Sequence, residues 1–152
     1  MTKLKSFIFL TRKINQFLEK YLYLQNNSHL GIKQLFIIMD LTLKLNEKVA
    51  FLHALISMMV ADGEVSPSEM NLINKFASMK DVNVGQAEFD QAKNMSDVEA
   101  KDILSQMSDE KKRLLGFLLQ DMAHADGVID AGEKLYWMKI KSDININNIN
   151  DL

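Results

Sequence analysis

One ten-residue pattern occurs twice in this chain, so the fold has to place both copies in matching surroundings. Val60-Ala61-Asp62-Gly63-Glu64-Val65-Ser66-Pro67-Ser68-Glu69 returns sixty-four residues later as His124-Ala125-Asp126-Gly127-Val128-Ile129-Asp130-Ala131-Gly132-Glu133, without a gap. Ala61, Asp62, Gly63 and Glu69 recur unchanged, and Val65 becomes Ile129. Upstream, Leu55 and Met58 match Leu119 and Met122. Self-similarity at a fixed offset is the mark of a duplicated supersecondary unit.

Each copy reads as a tight corner between two helices. An apolar helix runs into Asp-Gly, and a glycine just past a helix takes the left-handed conformation without a steric penalty. Val65 is expected to turn inward as a buried plug. Ser66 is a candidate N-cap, with Pro67 at the first helical position, where its missing N–H is no loss. Glu69, three residues after Ser66, completes a capping box. Asp130 and Glu133 repeat the arrangement.

Capping does not explain why an acid precedes each glycine. Negative charge at a helix C-terminus is unfavourable by about 0.3–1 kcal/mol. Two readings stay open. In the first the acids are structural, since carboxylates at the start of the following helix need no ligand. In the second they hold a cation. Asp-Gly-x-hydrophobic-x-x-x-Glu is the back half of an EF-hand loop. The front half is missing: its first and third positions fall on Met58 and Val60, and on Met122 and His124. Methionine and valine do not bind calcium, which excludes an ordinary EF-hand. A composite site between two adjacent corners has Asp62, Glu69, Asp126, Asp130 and Glu133 as candidate ligands, with Glu64, Asp121 and His124 nearby in sequence.

A pair of apolar helices, each ending Ala-Asp-Gly and followed by x-[Val/Ile]-x-x-x-Glu, resembles the TerB family. This is the tellurite-resistance protein B group, whose domain also stands at the N-terminus of DjlA-type proteins. The resemblance spans residues 46–141. It implies an all-α domain whose two halves bring their acidic corners together. It also implies a divalent cation as the cofactor, held at Asp62, Glu69, Asp126 and Glu133, and a link to stress or tellurite resistance. Asp130 is acidic where its counterpart Ser66 is not, so any such site is asymmetric. No His-Pro-Asp motif is present, so there is no J-domain.

The rest of the sequence narrows the fold class. With one Pro and six Gly, it has little turn punctuation, which favours helices over many short strands. It is 47% hydrophobic and 25% charged, values suited to a globular domain with one core. The absence of cysteine removes disulfides and thiolate metal sites and fits a reducing compartment. The net charge of −2 conceals an asymmetry. Residues 1–48 carry eight Lys/Arg and three Asp/Glu, and the remainder carries ten and seventeen. The acidic remainder argues against nucleic acid as a partner.

Taken in order, residues 3–24 read as a basic amphipathic helix, suited to an anionic membrane surface, a partner groove, or packing back on the domain. No stretch reads as a signal peptide or a transmembrane helix. A second helix is expected over 31–45. Asn46 is a candidate cap for a helix over 47–61, apolar nearly all round except for His53 and Ser57. Further helices are expected over 67–79, 86–93, 97–106, 109–125 and 131–141, with 47–61 and 109–125 as the central pair. Val98, Ile103 and Leu104 supply the apolar side of 97–106. Gly116 marks a close helix crossing, and Asp121 and His124 face each other as a pair. The tail from Asp143 is expected to fray.

The organisation expected is therefore a helical extension (1–45), an all-α bundle with internal pseudo-twofold symmetry (46–142), and a short tail (143–152). No phosphate-binding loop, dinucleotide fingerprint or nucleophile elbow occurs, so an enzyme is not expected. The function expected is a cytoplasmic TerB-like protein that binds a divalent cation or a protein partner. The alternative is a metal-free interaction module that docks through its methionine-rich surface or through residues 3–24.

Overall fold

The computed structural model describes residues 42–61, 63–79 and 82–146. Among them are six α-helices and no strand: α1 (Leu45–Met59), α2 (Pro67–Ser78), α3 (Gln86–Asn94), α4 (Asp97–Ser105), α5 (Asp109–His124) and α6 (Ala131–Asp143). The fold class is all-α, as the turn-poor composition implies. The helices expected over 3–24 and 31–41 lie outside the described residues, and so does Asp62.

Helix α1 is the axis of the bundle. Its residues Val49, Ala50, Phe51, Leu52, Ala54, Leu55, Met58 and Met59 are buried on almost every side, as expected of a helix without a broad polar face. All five other helices pack on it. The expected central pair holds only in part, because the main contacts of α5 are with α1 and α6. Phe51 stacks on Phe76 of α2 with ring centroids 6.0 Å apart. Trp137 of α6 is sealed in the core, and Lys141 lies over its ring at 5.9 Å.

Local sequence accounts for the helix ends. Ser66, Ser96, Ser108 and Asp130 each accept a bond from the backbone N–H three residues on. In α4 the expected box is half made, since Ser96 accepts from Glu99 and only that direction is formed. At α1 the expected cap is wrong. The helix starts two residues earlier, with Lys44 at the N-cap and Asn46 inside the first turn. The Glu47 carboxylate reaches back to the Lys44 N–H at 2.7 Å and takes over the capping role. Residues 42–44 are not helical, so the helix expected through 45 does not reach that point.

Several side chains face the other way from their sequence assignment. Val65 is half exposed and plugs nothing, and Val98 and Leu135 point to solvent. The core of α4 is Ala100 and Leu104, and that of α6 is Trp137 and Ile140. Burial continues past α6, because Ile144 and Ile146 are both covered. The tail is thus packed at least through Ile146.

Two observations give the relative direction of α1 and α5. Near their starts, Lys111 Nζ meets Glu47 Oε2 at 2.7 Å. At their ends, the corner after α5 leads to Gly132, which lies against the Ala61 carbonyl just past α1. The two helices therefore run side by side in the same direction, and both corners emerge at one end of the bundle.

Candidate functional site

The two corners match bond for bond. After α1, Ala61 N–H donates to Met58 O at 3.1 Å and Gly63 N–H to Val60 O at 3.1 Å. After α5, Ala125 donates to Met122 O at 3.2 Å and Gly127 to His124 O at 3.1 Å. Gly63 has φ +84° and Gly127 has φ +83°. Both glycines occupy the left-handed region, which a side chain would strain.

Each following helix opens with a closed capping box. The Glu69 carboxylate accepts from Ser66 N–H at 2.7 Å, and Glu69 N–H donates back to Ser66 Oγ at 3.2 Å. The Glu133 carboxylate accepts from Asp130 N–H at 3.0 Å, and Glu133 N–H donates back to Asp130 Oδ1 at 2.9 Å. Both glutamates are nearly covered, at 5% and 4% exposure, which is unusual for a carboxylate without a cation beside it.

Asp126, one of the two acids that capping left unexplained, has a local role. Its Oδ1 accepts the Val128 N–H at 2.9 Å. This is an Asx-turn, in which the side chain substitutes for a backbone acceptor two residues before the donor. The sequence signal was present, since Asp-Gly favours such turns, but the helix-dipole argument hid it.

The structure brings four of the five candidate ligands within electrostatic range. Burial pushes the Glu133 carboxyl above its ordinary value, the bond from Asp130 N–H pulls it back, and the charges of Asp130, Asp126 and Glu69 push it further up. The fifth, Asp62, is outside the described residues. Among the described residues no group of three or more His, Asp or Glu is arranged to hold a metal ion. Burial pushes the Asp121 carboxyl up and nearby His124 draws it down, while His124 Nδ1 itself rests on the Gln120 carbonyl at 2.7 Å. A carbonyl one turn back lies within reach of that side chain without any rearrangement.

A raised carboxyl makes stability depend on pH in a definite sense. The folded state holds the Glu133 proton to higher pH than the unfolded chain does. Stability therefore declines as pH rises from the ordinary glutamate range through the elevated one. Glu133→Gln keeps an acceptor for Asp130 N–H and removes the charge. The variant is expected to melt a few degrees above the parent at pH 7–8, with the difference vanishing below about pH 4. Parallel melts across that range check it, and a lower melting point for Glu133→Gln at pH 8 would contradict it.

A second polar cluster was missed by sequence reasoning. His53 and Ser57 form the narrow polar stripe of α1. His53 Nδ1 lies 2.9 Å from Ala92 O of α3, and Nε2 lies 3.0 Å from Asp97 Oδ1 of α4. Lys139 of α6 binds the other Asp97 oxygen at 3.0 Å. Together Lys139 and His53 hold the Asp97 carboxyl below its ordinary value. Burial pushes the Tyr136 hydroxyl up, against a hydrogen bond with Ser57. The two polar residues on an apolar helix were the available signal. Their partners lie 39 and more residues away and could not be paired from sequence.

No protein-family model matches the chain, and neither does any curated protein. Among solved structures, a protein of unknown function from Porphyromonas gingivalis superposes with a TM-score of 0.58 at 21% identity, over 72% of this chain and 90% of the other. At that identity the likeness shows the fold alone.

Proposed function

We propose that the protein is a TerB-like binding protein whose paired acidic corners take up a divalent cation or a protein partner. The observation that supports this most directly is the position of Glu133, a covered carboxylate that feels the charges of Asp130, Asp126 and Glu69. Acids gathered in this way repel one another, and a cation placed among them relieves the repulsion. The equivalent bonding of the two corners fits a duplicated unit with pseudo-twofold symmetry. The ligand set proposed is Asp62, Glu69, Asp126, Asp130 and Glu133, with stress or tellurite resistance as the setting and the cytoplasm as the compartment. Among the described residues no helix is long and apolar enough to cross a membrane. The role is binding, not catalysis.

The test is titration of metal-free protein with calcium, magnesium, manganese and zinc, beside Asp62→Asn/Asp126→Asn. Saturable binding is expected, with about 2.7 kcal/mol of added stability at a ligand concentration one hundred times Kd. The double variant is expected to lose it. Absence of heat and of thermal stabilisation with every ion would return the acids to turn and cap duties alone.

A metal-free interaction module is the second reading. It is favoured by an open groove between α1, α3 and α4, where Leu45, Val49, Met95 and Ile103 lie among Asn46, Gln91, Asn94 and Glu99. Leu45 is 61% exposed at its edge, an apolar residue that no packing need explains.

A further inference from the structure

We propose that His53 is a proton-dependent clasp that fixes the α3–α4 corner to α1 when its ring is doubly protonated and releases part of that hold when the ring is neutral. The proposal follows from counting donors. Nδ1 faces the Ala92 carbonyl at 2.9 Å, and a carbonyl only accepts. Nε2 faces Asp97 Oδ1 at 3.0 Å, and an ionised carboxylate also only accepts. Asp97 is kept ionised by the Lys139 ammonium on its second oxygen. Both bonds therefore need an N–H, and only the imidazolium has two. A neutral ring has one N–H, so one of the two bonds is lost whichever tautomer forms.

The groups that face the ring from each neighbouring element are few. From α3 it is the Ala92 carbonyl, from α4 Asp97, and from α6 Tyr136 and Lys139, with Ser57 on its own helix one turn on. Lys101 and Asp143 border the same small cavity and pair with each other at 3.2 Å. The Ala92 carbonyl and Asp97 are both acceptors for the ring, and the half-exposed Lys139 ammonium is itself bound to the far oxygen of Asp97 at 3.0 Å.

The location gives the clasp a consequence. Ala92 ends the buried face of α3, and Asp97 is the first residue of α4. Between them run Lys93 to Ser96, the corner that carries Asn94 and Met95 into the apolar groove. Loss of one bond at either end frees the wall of that groove. In acid the corner is held at both ends, and at higher pH it is held at one. The clasp is independent of the acidic corners, so failure of cation binding leaves it untouched.

The test is a nitrogen-15 NMR titration of the intact protein from pH 5 to 8.5, with amide hydrogen exchange on the same sample. Both His53 ring nitrogens are expected to carry protons at the acid end, and one to lose its proton at the alkaline end. Protection factors, corrected for intrinsic exchange, are expected to fall about tenfold at the end whose bond is lost, read at the Met95 N–H that closes α3 on Gln91 O and at the Ala100 N–H that opens α4 on Ser96 O. His53→Gln, whose amide does not titrate in this range, is expected to show no such dependence. A ring with a single proton at pH 5, or protection factors unchanged at both ends of the corner in the parent across the range, would overturn the proposal.

Discussion

Gly132→Ala is expected to lower the thermal midpoint by about 15 °C. A Cβ at this position would sit 2.5 Å from the Ala61 carbonyl oxygen and 2.9 Å from its carbon, with Asp130 Oδ1 at 3.1 Å. The first two neighbours are backbone, so no rotamer change relieves the clash. The corner after α1 and the start of α6 would have to move apart, and covered Glu69 and Glu133 would move with them. Overpacking of this kind typically costs about 3 kcal/mol, and each kcal/mol is worth roughly 4–8 °C in a domain of this size. Gly63→Ala is the comparison. A side chain there meets nothing within 4 Å but is forced to φ +84°, so about 1 kcal/mol is expected. Melts of the two variants beside the parent decide the matter. A loss at Gly132 no greater than that at Gly63 would mean that the corners have slack and that their close approach is not what holds this end of the bundle.

Lys111→Met is expected to destabilise by about 3 kcal/mol, nearly as much, for an electrostatic reason at the opposite end. Lys111 Nζ binds both Glu47 oxygens, at 3.0 and 2.7 Å, with side-chain exposures of 16% and 9%. Removing the ammonium leaves a covered carboxylate with the Lys44 N–H as its one remaining partner among the described residues. Uncompensated charge of this kind is far more damaging than the pair is stabilising. It follows that Glu47→Gln/Lys111→Met should recover most of the loss, since the amide still accepts from Lys44 N–H and the methionine fills the space of the lysine stem. Urea unfolding of the four species in a double-mutant cycle reads the coupling directly. A double variant no more stable than Lys111→Met would show that packing of the lysine stem, not charge, is what the site needs.

Both predictions concern residues whose roles were only partly legible in the sequence. The repeat exposed the corners, and Gly63, Gly127, Ser66, Asp130, Glu69 and Glu133 all do what their local signatures imply. These are contacts over two or three residues, where backbone geometry alone brings the partners together. Gly132 gave no such signal. Its counterpart is Ser68, and its need for a missing side chain comes from a carbonyl in the other half of the chain. Glu47 reads as an ordinary first-turn acid and Lys111 as a surface lysine, until the parallel course of α1 and α5 brings them into one covered pair. Val65 shows the converse error. The pattern made it a plug, but apolar residues in a short corner are buried only when another element arrives above them, and among the described residues none covers Val65, which is half exposed.

The all-α class, the helix order over residues 45–143, the placement of most helix ends and the paired Asp-Gly corners are legible in the chain alone. Those properties depend on propensity, periodicity and capping, which act within a turn or two of chain. Packing, by contrast, makes α1 the axis for every other described helix. Packing also sets both corners at one end, covers Glu69 and Glu133 beside further acids, and lets His53 span α3 and α4 while Lys139 holds Asp97. Those are relations between segments tens of residues apart. They are settled by which apolar faces bury each other, and the burial free energy that selects them has no local signature in the chain.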